Sequence, residues 1–382
     1  MKGIYKVEGD ELSVCLIGID GARPTEFSGS DLSEGKKGGY LLFKFKRVKD
    51  KEDGEKGKEA KKDPRKTWRI TERMVGDALL PLRYDEIDLD NNGYIDFDEL
   101  VKAHEICQNK LPNYAIPEMN GIGAQEICVT TAQGLCDFIS AMDTNRVPEW
   151  NCWYHLMNCG YPLKVSGETD FPCITDSRVG QGRVYVQLGT KIEKINFKDW
   201  AAGLAKGRSY VSDGYAHALE FSVDGKVPGE KTHLRDKGNV TVKARVAFAS
   251  EMPLGTAQGG KLPPDKKRIV EIVVNGVAVA RQEVPADDRE HELTFRVPIE
   301  FSSWVALRQF PQLHTNPVEV IVKDLPIRAS KKSAQWCIGV IDQLWKVRGP
   351  VIADQERPEA ERVFDWAKER YRKIAEECPK DS

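Results

Sequence analysis

Residues 268–284 read RIVEIVVNGVAVARQEV, and this stretch decides how the second half of the chain is built. Two runs rich in β-branched residues meet at Val274, Asn275 and Gly276. Asn-Gly accepts the positive φ angles of a tight two-residue turn, so the stretch is expected to be a β-hairpin. A second corner of the same kind, VDG at 223–225, follows the strand-like ALEFSV. VTVKARVAFAS, HELTFRVPI, SWVALRQF and VEVIVKDLPI are strand-like as well. Residues 217–328 are therefore expected to form a β-sandwich-like domain. Residues 329–382 then close the chain with two helical patterns, SAQWCIGVIDQLWKV and ERPEAERVFDWAKERYRKIAEE.

Upstream, residues 119–216 change character. AQEICVTT, GLCDFISAMD, WYHLMNCGYPLKVSGETD, GRVYVQLG and FKDWAAGLAKGRSYVSDG mix apolar runs with Gly, Asp and Pro corners. Short strands leading into helices, with polar residues at the strand ends, are the pattern of α/β scaffolds. The polar candidates are Asp137, Asp143, His155, Glu168, Asp170, Arg183, Arg208, Asp213 and His217. Carboxylates and histidine at strand ends can gather divalent metals that activate water. Each also has a plain structural use. Asp in a Gly-rich turn caps backbone, His155 sits in an aromatic segment suited to a core hydrogen bond, and Arg208 and Asp213 can pair with each other.

The most specific motif lies further upstream, where residues 88–99 read DLDNNGYIDFDE. Calcium takes six to eight oxygen ligands. Asp88, Asp90 and Asn92 stand at positions one, three and five of the loop, and Gly93 makes the turn at position six. Tyr94 offers its carbonyl, Asp96 acts directly or through water, and Glu99 gives both carboxylate oxygens. Ile95 is an apolar anchor for a neighbouring segment. Helical patterns flank the loop, among them DFDELVKAHEICQNKL. Residues 75–110 resemble the EF-hand family, which implies calcium binding through Asp88, Asp90, Asn92, Tyr94, Asp96 and Glu99. No second loop of this pattern occurs in the chain. The lone loop is expected to bind weakly, to pair between chains or to be braced by residues 68–87.

Residues 1–48 alternate like about three short strands, too few for a complete core. A linker is expected over residues 49–67; the stretch KRVKDKEDGEKGKEAKKDPRK at 46–66 has ten basic and six acidic residues and few apolar ones. Over the 382 residues, 57 Lys and Arg nearly cancel 59 Asp and Glu, so no overall field favours nucleic acid or an anionic membrane. The first residues lack a signal-peptide core and no run reaches the length of a membrane span, so a cytoplasmic protein is expected. Nine scattered cysteines, none in C-x-x-C spacing, point to free thiols.

From about Met119 to the end the chain resembles the C-terminal portion of PHP-like metallohydrolases of the carbaryl-hydrolase (McbA-type) group, in the form common in planctomycete bacteria. The matching words include MNGIGAQEI, CDFISAMDT, WYHLMNCG, SGETDFPC, GRSYVSDGYAH, RVPIEFSSWVALR and IRASKKSAQWC. That resemblance implies a partial α/β barrel, hydrolysis of phosphoesters, amides or esters with manganese or zinc, and Asp170 as a metal ligand. The family's opening H-x-H pair is absent, because none of the six histidines has that spacing. The hydrolase part is therefore expected to be inactive alone, the alternative being a homo-oligomer or partner chain that completes the half-barrel. Residues 1–48 resemble the closing strands of a small planctomycete β-rich domain. Together these readings predict an α+β multidomain chain: a partial β-rich domain, a single EF-hand over 68–115, a PHP-like α/β segment over 119–216, a β-sandwich-like domain and C-terminal helices.

Overall fold

The computed structural model describes residues 111–114, 116–117, 126–142, 146–169, 180–189, 194–251, 266–310 and 312–379, with five strands among the first 110 residues. The chain divides into two units, Met1–Lys110 and Leu111–Ser382. It is of the α+β class, and among the described residues no sheet closes into a barrel.

In the first unit, β1 (Gly3–Glu8), β2 (Glu11–Ile17), β3 (Tyr40–Arg47), β4 (Trp68–Ile70) and β5 (Ile95–Asp96) form one sheet in sequence order, antiparallel throughout. The segments 1–48 and 68–115, which read from sequence as separate pieces, thus contribute to a single sheet.

The second unit is layered around an eight-stranded sheet. Its main path runs β11 (Lys231–Leu234), β18 (Val318–Val322), β16 (Ser303–Gln309), β17 (Leu313–Thr315), β9 (Ser209–Ser212) and β8 (Arg183–Val186). β13 (Lys267–Val274) joins β16 and carries β14 (Val277–Pro285) beside it. The quoted hairpin is this β13–β14 pair, closed by Val274 opposite Val277, with Asn275 at φ 51° and Gly276 at φ 94°. A Cβ at Gly276 would lie 3.1 Å from the rings of Pro112 and Tyr154, so the turn also needs glycine for close packing.

One face of this sheet shares an apolar cluster with a three-stranded antiparallel sheet of β10 (Ala216–Val223), β12 (Gly238–Phe248) and β15 (Glu290–Ile299). β12 alternates strictly enough to bury Val240, Val242, Ala244, Val246 and Phe248. β10 does not, because a bulge between Ala218 and Glu220 shifts the phase. Ala218 and then Phe221 are buried, while Leu219 is exposed.

The other face carries a second cluster, formed with helices α1 (Ile127–Ala132), α2 (Arg146–Asn158), α4 (Lys331–Arg348) and α5 (Arg357–Glu377); α3 is the short helix Phe197–Ala205. β16 lies between the two clusters and is buried at every position. Val305 and Leu307 face one cluster, Trp304 and Ala306 the other, which is why SWVALRQ reads as a continuous run rather than an alternating one. Ser330 caps α4 by accepting the Ser333 N–H at 3.2 Å, and Asn196 caps α3 by accepting the Asp199 N–H at 2.9 Å.

The segment 119–216 supplies one parallel unit, β6 (Phe138–Ala141), α2 and β7 (Lys164–Gly167). Its later strands β8 and β9 pair antiparallel with each other, and β9 bonds to β17. The strand pairing therefore runs across the sequence boundary at 216.

Candidate functional site

The calcium-loop reading meets the structure at one place. Asp88, Asp90, Asn92, Tyr94 and Glu99 lie outside the described residues, and Asp96 is described through its backbone in β5. Within the first unit, β5 runs antiparallel to β4, with Ile95 opposite Ile70 and Asp96 opposite Arg69. The apolar eighth position of the loop thus has a main-chain partner in this chain.

In the second unit, the ends of the parallel strands are where an α/β arrangement places ligands. At the exit of β6, Met142 takes φ 79° although buried, a left-handed conformation that a long side chain adopts at a cost. The Glu149 carboxylate accepts the Met142 N–H at 2.9 Å and holds it there. At the exit of β7, Glu168 accepts a hydrogen bond from Ser140. The β7 and β8 backbones approach closely, since a Cβ on Gly167 would lie 2.4 Å from the Arg183 carbonyl and one on Gly182 1.8 Å from that of Glu168. Only glycine allows this crossing, which sets Glu168 beside the start of β8. Asp143 and Asp170 lie outside the described residues.

Arg183 turns back on its own loop, donating from Nε to the Gly180 carbonyl at 2.6 Å and from a terminal nitrogen to Tyr185 at 3.4 Å. Asp213 is buried and its two oxygens are engaged, by the Tyr215 N–H at 2.9 Å and by Gln312 Nε2 at 2.7 Å. It serves as a turn-holding carboxylate. His217 shares a 3.0 Å hydrogen bond with Tyr210, and the Tyr185 and Tyr210 rings stack at 4.9 Å. Burial lowers the His217 pKa, with Asp213 raising it and Arg183 lowering it. Arg208 pairs with Glu230 at 3.2 Å and not with Asp213. Asp137 is exposed on the strand entry. Arg183, Asp213 and His217 thus share one corner of the sheet, while Arg208 and His155 sit apart from it.

His155 is a core residue. It is fully buried, Nδ1 lies 3.0 Å from Ser333 Oγ, Nε2 lies 2.8 Å from the Asn113 carbonyl, and Trp336 stacks on its ring at 4.1 Å. Burial pulls its pKa down to about 4, despite the Asn113 carbonyl, which favours the charged form.

The strongest polar constellation of the second unit was not singled out from sequence. Tyr154 meets His314 Nε2 at 2.5 Å and accepts from Arg308 at 3.3 Å. His314 Nδ1 lies 2.7 Å from the Thr315 carbonyl. A carbonyl only accepts, so Nδ1 carries the proton and Nε2 accepts the Tyr154 hydroxyl. Arg308 reaches Glu271 at 2.5 Å, and Glu271 continues to Arg281 at 2.9 Å. Tyr154 and His314 are 160 residues apart, so no local pattern could join them. The available signal was an Arg and a Glu inside otherwise apolar strands.

Among the described residues, no group of three or more His, Cys, Asp or Glu side chains is arranged to hold a metal ion. None of the described helices is long and apolar enough to cross a membrane. No protein-family model matches the chain, and comparison with curated proteins finds no match.

Proposed function

We propose that this protein binds one calcium ion through residues 88–99, with Asp88, Asp90, Asn92, Tyr94, Asp96 and Glu99 as its ligands. The observation that supports this reading is the β4–β5 pair. A lone loop of this kind leaves an apolar segment without a neighbour, and Ile70 stands opposite Ile95. Calorimetric titration of the whole chain with calcium is expected to show one site. Glu99→Gln removes one oxygen of the bidentate carboxylate and its negative charge, and is expected to raise Kd at least tenfold, about 1.4 kcal/mol. No heat at millimolar calcium with the unaltered chain would sink the proposal.

On this reading the hydrolase-like body carries no hydrolysis by itself. Three of its described candidate side chains are held by other residues: Asp213 by Gln312, Arg208 by Glu230 and His155 by Ser333. Nitrophenyl esters and phosphodiesters are expected to remain intact with the protein in manganese or zinc. Turnover that disappears in Asp170→Ala would overturn this part and establish the metallohydrolase alternative.

A further inference from the structure

The outer end of the eight-stranded sheet differs from its covered middle. Among the described residues β8 closes the main path, and Tyr185 stands opposite Tyr210 of β9 in the antiparallel register. Tyr210 still packs against the apolar cluster shared with the three-stranded sheet, whereas Tyr185, one strand further out, belongs to neither cluster. Residues two apart on a strand share a face, so Arg183 and Tyr185 lie together on this side of β8. The opposite side is taken, since a Cβ on Gly203 of α3 would lie 2.6 Å from a methyl of Val186.

Two groups on this shelf are held in place with a contact surface left over. The first is a guanidinium. Arg183 is exposed, yet its head group is set beside two glycines of left-handed backbone, Gly180 at φ 74° and Gly214 at φ 88°. A Cβ on Gly180 would lie 2.9 Å from its Nε, and one on Gly214 would lie 2.5 Å from a terminal nitrogen. A larger residue at either place would push the head group out. Nε donates to the Gly180 carbonyl at 2.6 Å, and a terminal nitrogen reaches the Tyr185 hydroxyl at 3.4 Å. Among the described residues no carboxylate pairs with this cation. Asp213, next to Gly214 in the chain, accepts from the Tyr215 N–H and from Gln312 instead.

The second group is an aromatic face. The Tyr185 and Tyr210 rings stack at 4.9 Å with 8° between their planes. His217 lies 5.0 Å from Tyr185 at 88° and 6.3 Å from Tyr210 at 85°. These distances put the imidazole at the rims of the stacked pair, where Nδ1 lies 3.0 Å from the Tyr210 hydroxyl. The face of Tyr185 turned away from Tyr210 meets no other described ring.

We propose that this shelf binds a small ligand in which a planar ring carries an oxyanion, either a carboxylate or a phosphate. The ring stacks on the outer face of Tyr185, and the oxyanion takes the terminal N–H groups of Arg183. A guanidinium offers parallel N–H bonds to either oxyanion, and offset stacking adds to the apolar contact. The Gly180 carbonyl and the two glycines fix the guanidinium before the ligand arrives, so less freedom is lost on binding. Tyr210 and His217 act as positioning residues that hold the Tyr185 ring. The site belongs to the second unit and does not depend on the calcium reading.

The test is calorimetric titration of the full chain in calcium-free buffer. Phenyl phosphate and benzoate carry ring and oxyanion together, inorganic phosphate lacks the ring, and benzyl alcohol lacks the charge. At least one of the first two is expected to saturate a single site, with a Kd about tenfold or more below those of inorganic phosphate and benzyl alcohol. The tighter of the two names the oxyanion. Arg183→Gln and Tyr185→Leu are each expected to weaken that probe about tenfold, while Arg362→Gln, at an exposed arginine of α5, leaves it unchanged. Butanedione modification of the unaltered chain reads the same site even where a variant misfolds. The bound probe is expected to protect Arg183, as mass spectrometry of the arginine peptides shows. No saturation by either ring-bearing anion at about 10 mM, equal affinity for inorganic phosphate, or protection of other arginines in place of Arg183 would each overturn the proposal.

Discussion

Lowering the pH from about 7 to about 5 is expected to cost the Leu111–Ser382 unit about 4 kcal/mol of folding stability. Two histidines carry most of this. His155 and His314 are both fully buried, and burial lowers their pKa values to about 4 and about 3. In the unfolded chain each titrates near 6.5. The unfolded state therefore binds protons first as the pH falls through about 6.5, and stability declines from there down toward the folded values. Above about 6.5 both states hold neutral imidazole and nothing is lost. Each histidine contributes a slope of about 1.4 kcal/mol per pH unit within that window.

Neither site can easily take a second proton. His314 already uses its Nδ1 proton on the Thr315 carbonyl and receives the Tyr154 hydroxyl at Nε2, with the Arg308 cation close by. Charging it would break the Tyr154 bond and set two cations side by side. His155 lies against Trp336, with Ser333 and Asn113 as its hydrogen-bonding neighbours among the described residues. Carboxylates titrate near 4, below the window, so the loss above about pH 5 belongs to histidine. Denaturant midpoints across this range measure it, and His314→Gln is expected to remove about half the slope. A flat stability profile would show that the two imidazoles can be charged in place.

Arg308→Met is expected to destabilise the same unit by about 3–5 kcal/mol, because it leaves a buried charge without its main partner. Glu271 is 8% exposed and Arg308 4%, so water cannot replace the lost cation. Arg281 remains beside Glu271 but is mostly exposed and holds only one of its oxygens. Tyr154 loses a donor as well. The cost is asymmetric, since an ion pair taken out of water returns little net stability when intact. The double variant Arg308→Met with Glu271→Leu is therefore expected to recover most of the loss. Urea unfolding of the two single variants and the double closes the cycle. A double variant as unstable as the sum of its parts would show that the pair is not coupled.

Much of the fold is legible because its causes are local. Asn275–Gly276 closes the expected hairpin, and VDG at 223–225 makes a tight turn with Asp224 at φ 48° and Gly225 at φ 76°. That second corner also shows the limit. Val223 and Lys226 bridge across it, yet the strand that follows, β11, joins the other sheet and lies parallel to β18. Turn chemistry states that the chain reverses; it does not state which sheet the next strand enters. The boundary at 216 has the same origin, since GRVYV and RSYVS are recognisable strands that pair with each other, while the second partner of RSYVS, β17, lies about a hundred residues downstream.

The candidate site divides similarly. The proposed calcium loop is legible because all its proposed donors lie within twelve residues, so the proposal can be made from their spacing alone. His155 was readable as a core hydrogen-bonder from its aromatic surroundings, although its partners Asn113 and Ser333 were not. What the sequence by itself determined, then, is most of the long strand runs, the two tight corners and the closing helical patterns, together with the spacing of oxygen-bearing residues over 88–99. Only the tertiary structure decided that β16 is covered on both faces and that Arg308 and Glu271 meet within the protein. The reason is physical: turns and loops are set by backbone preferences a few residues wide, whereas burial and pairing are set by which distant segments the apolar clusters draw together.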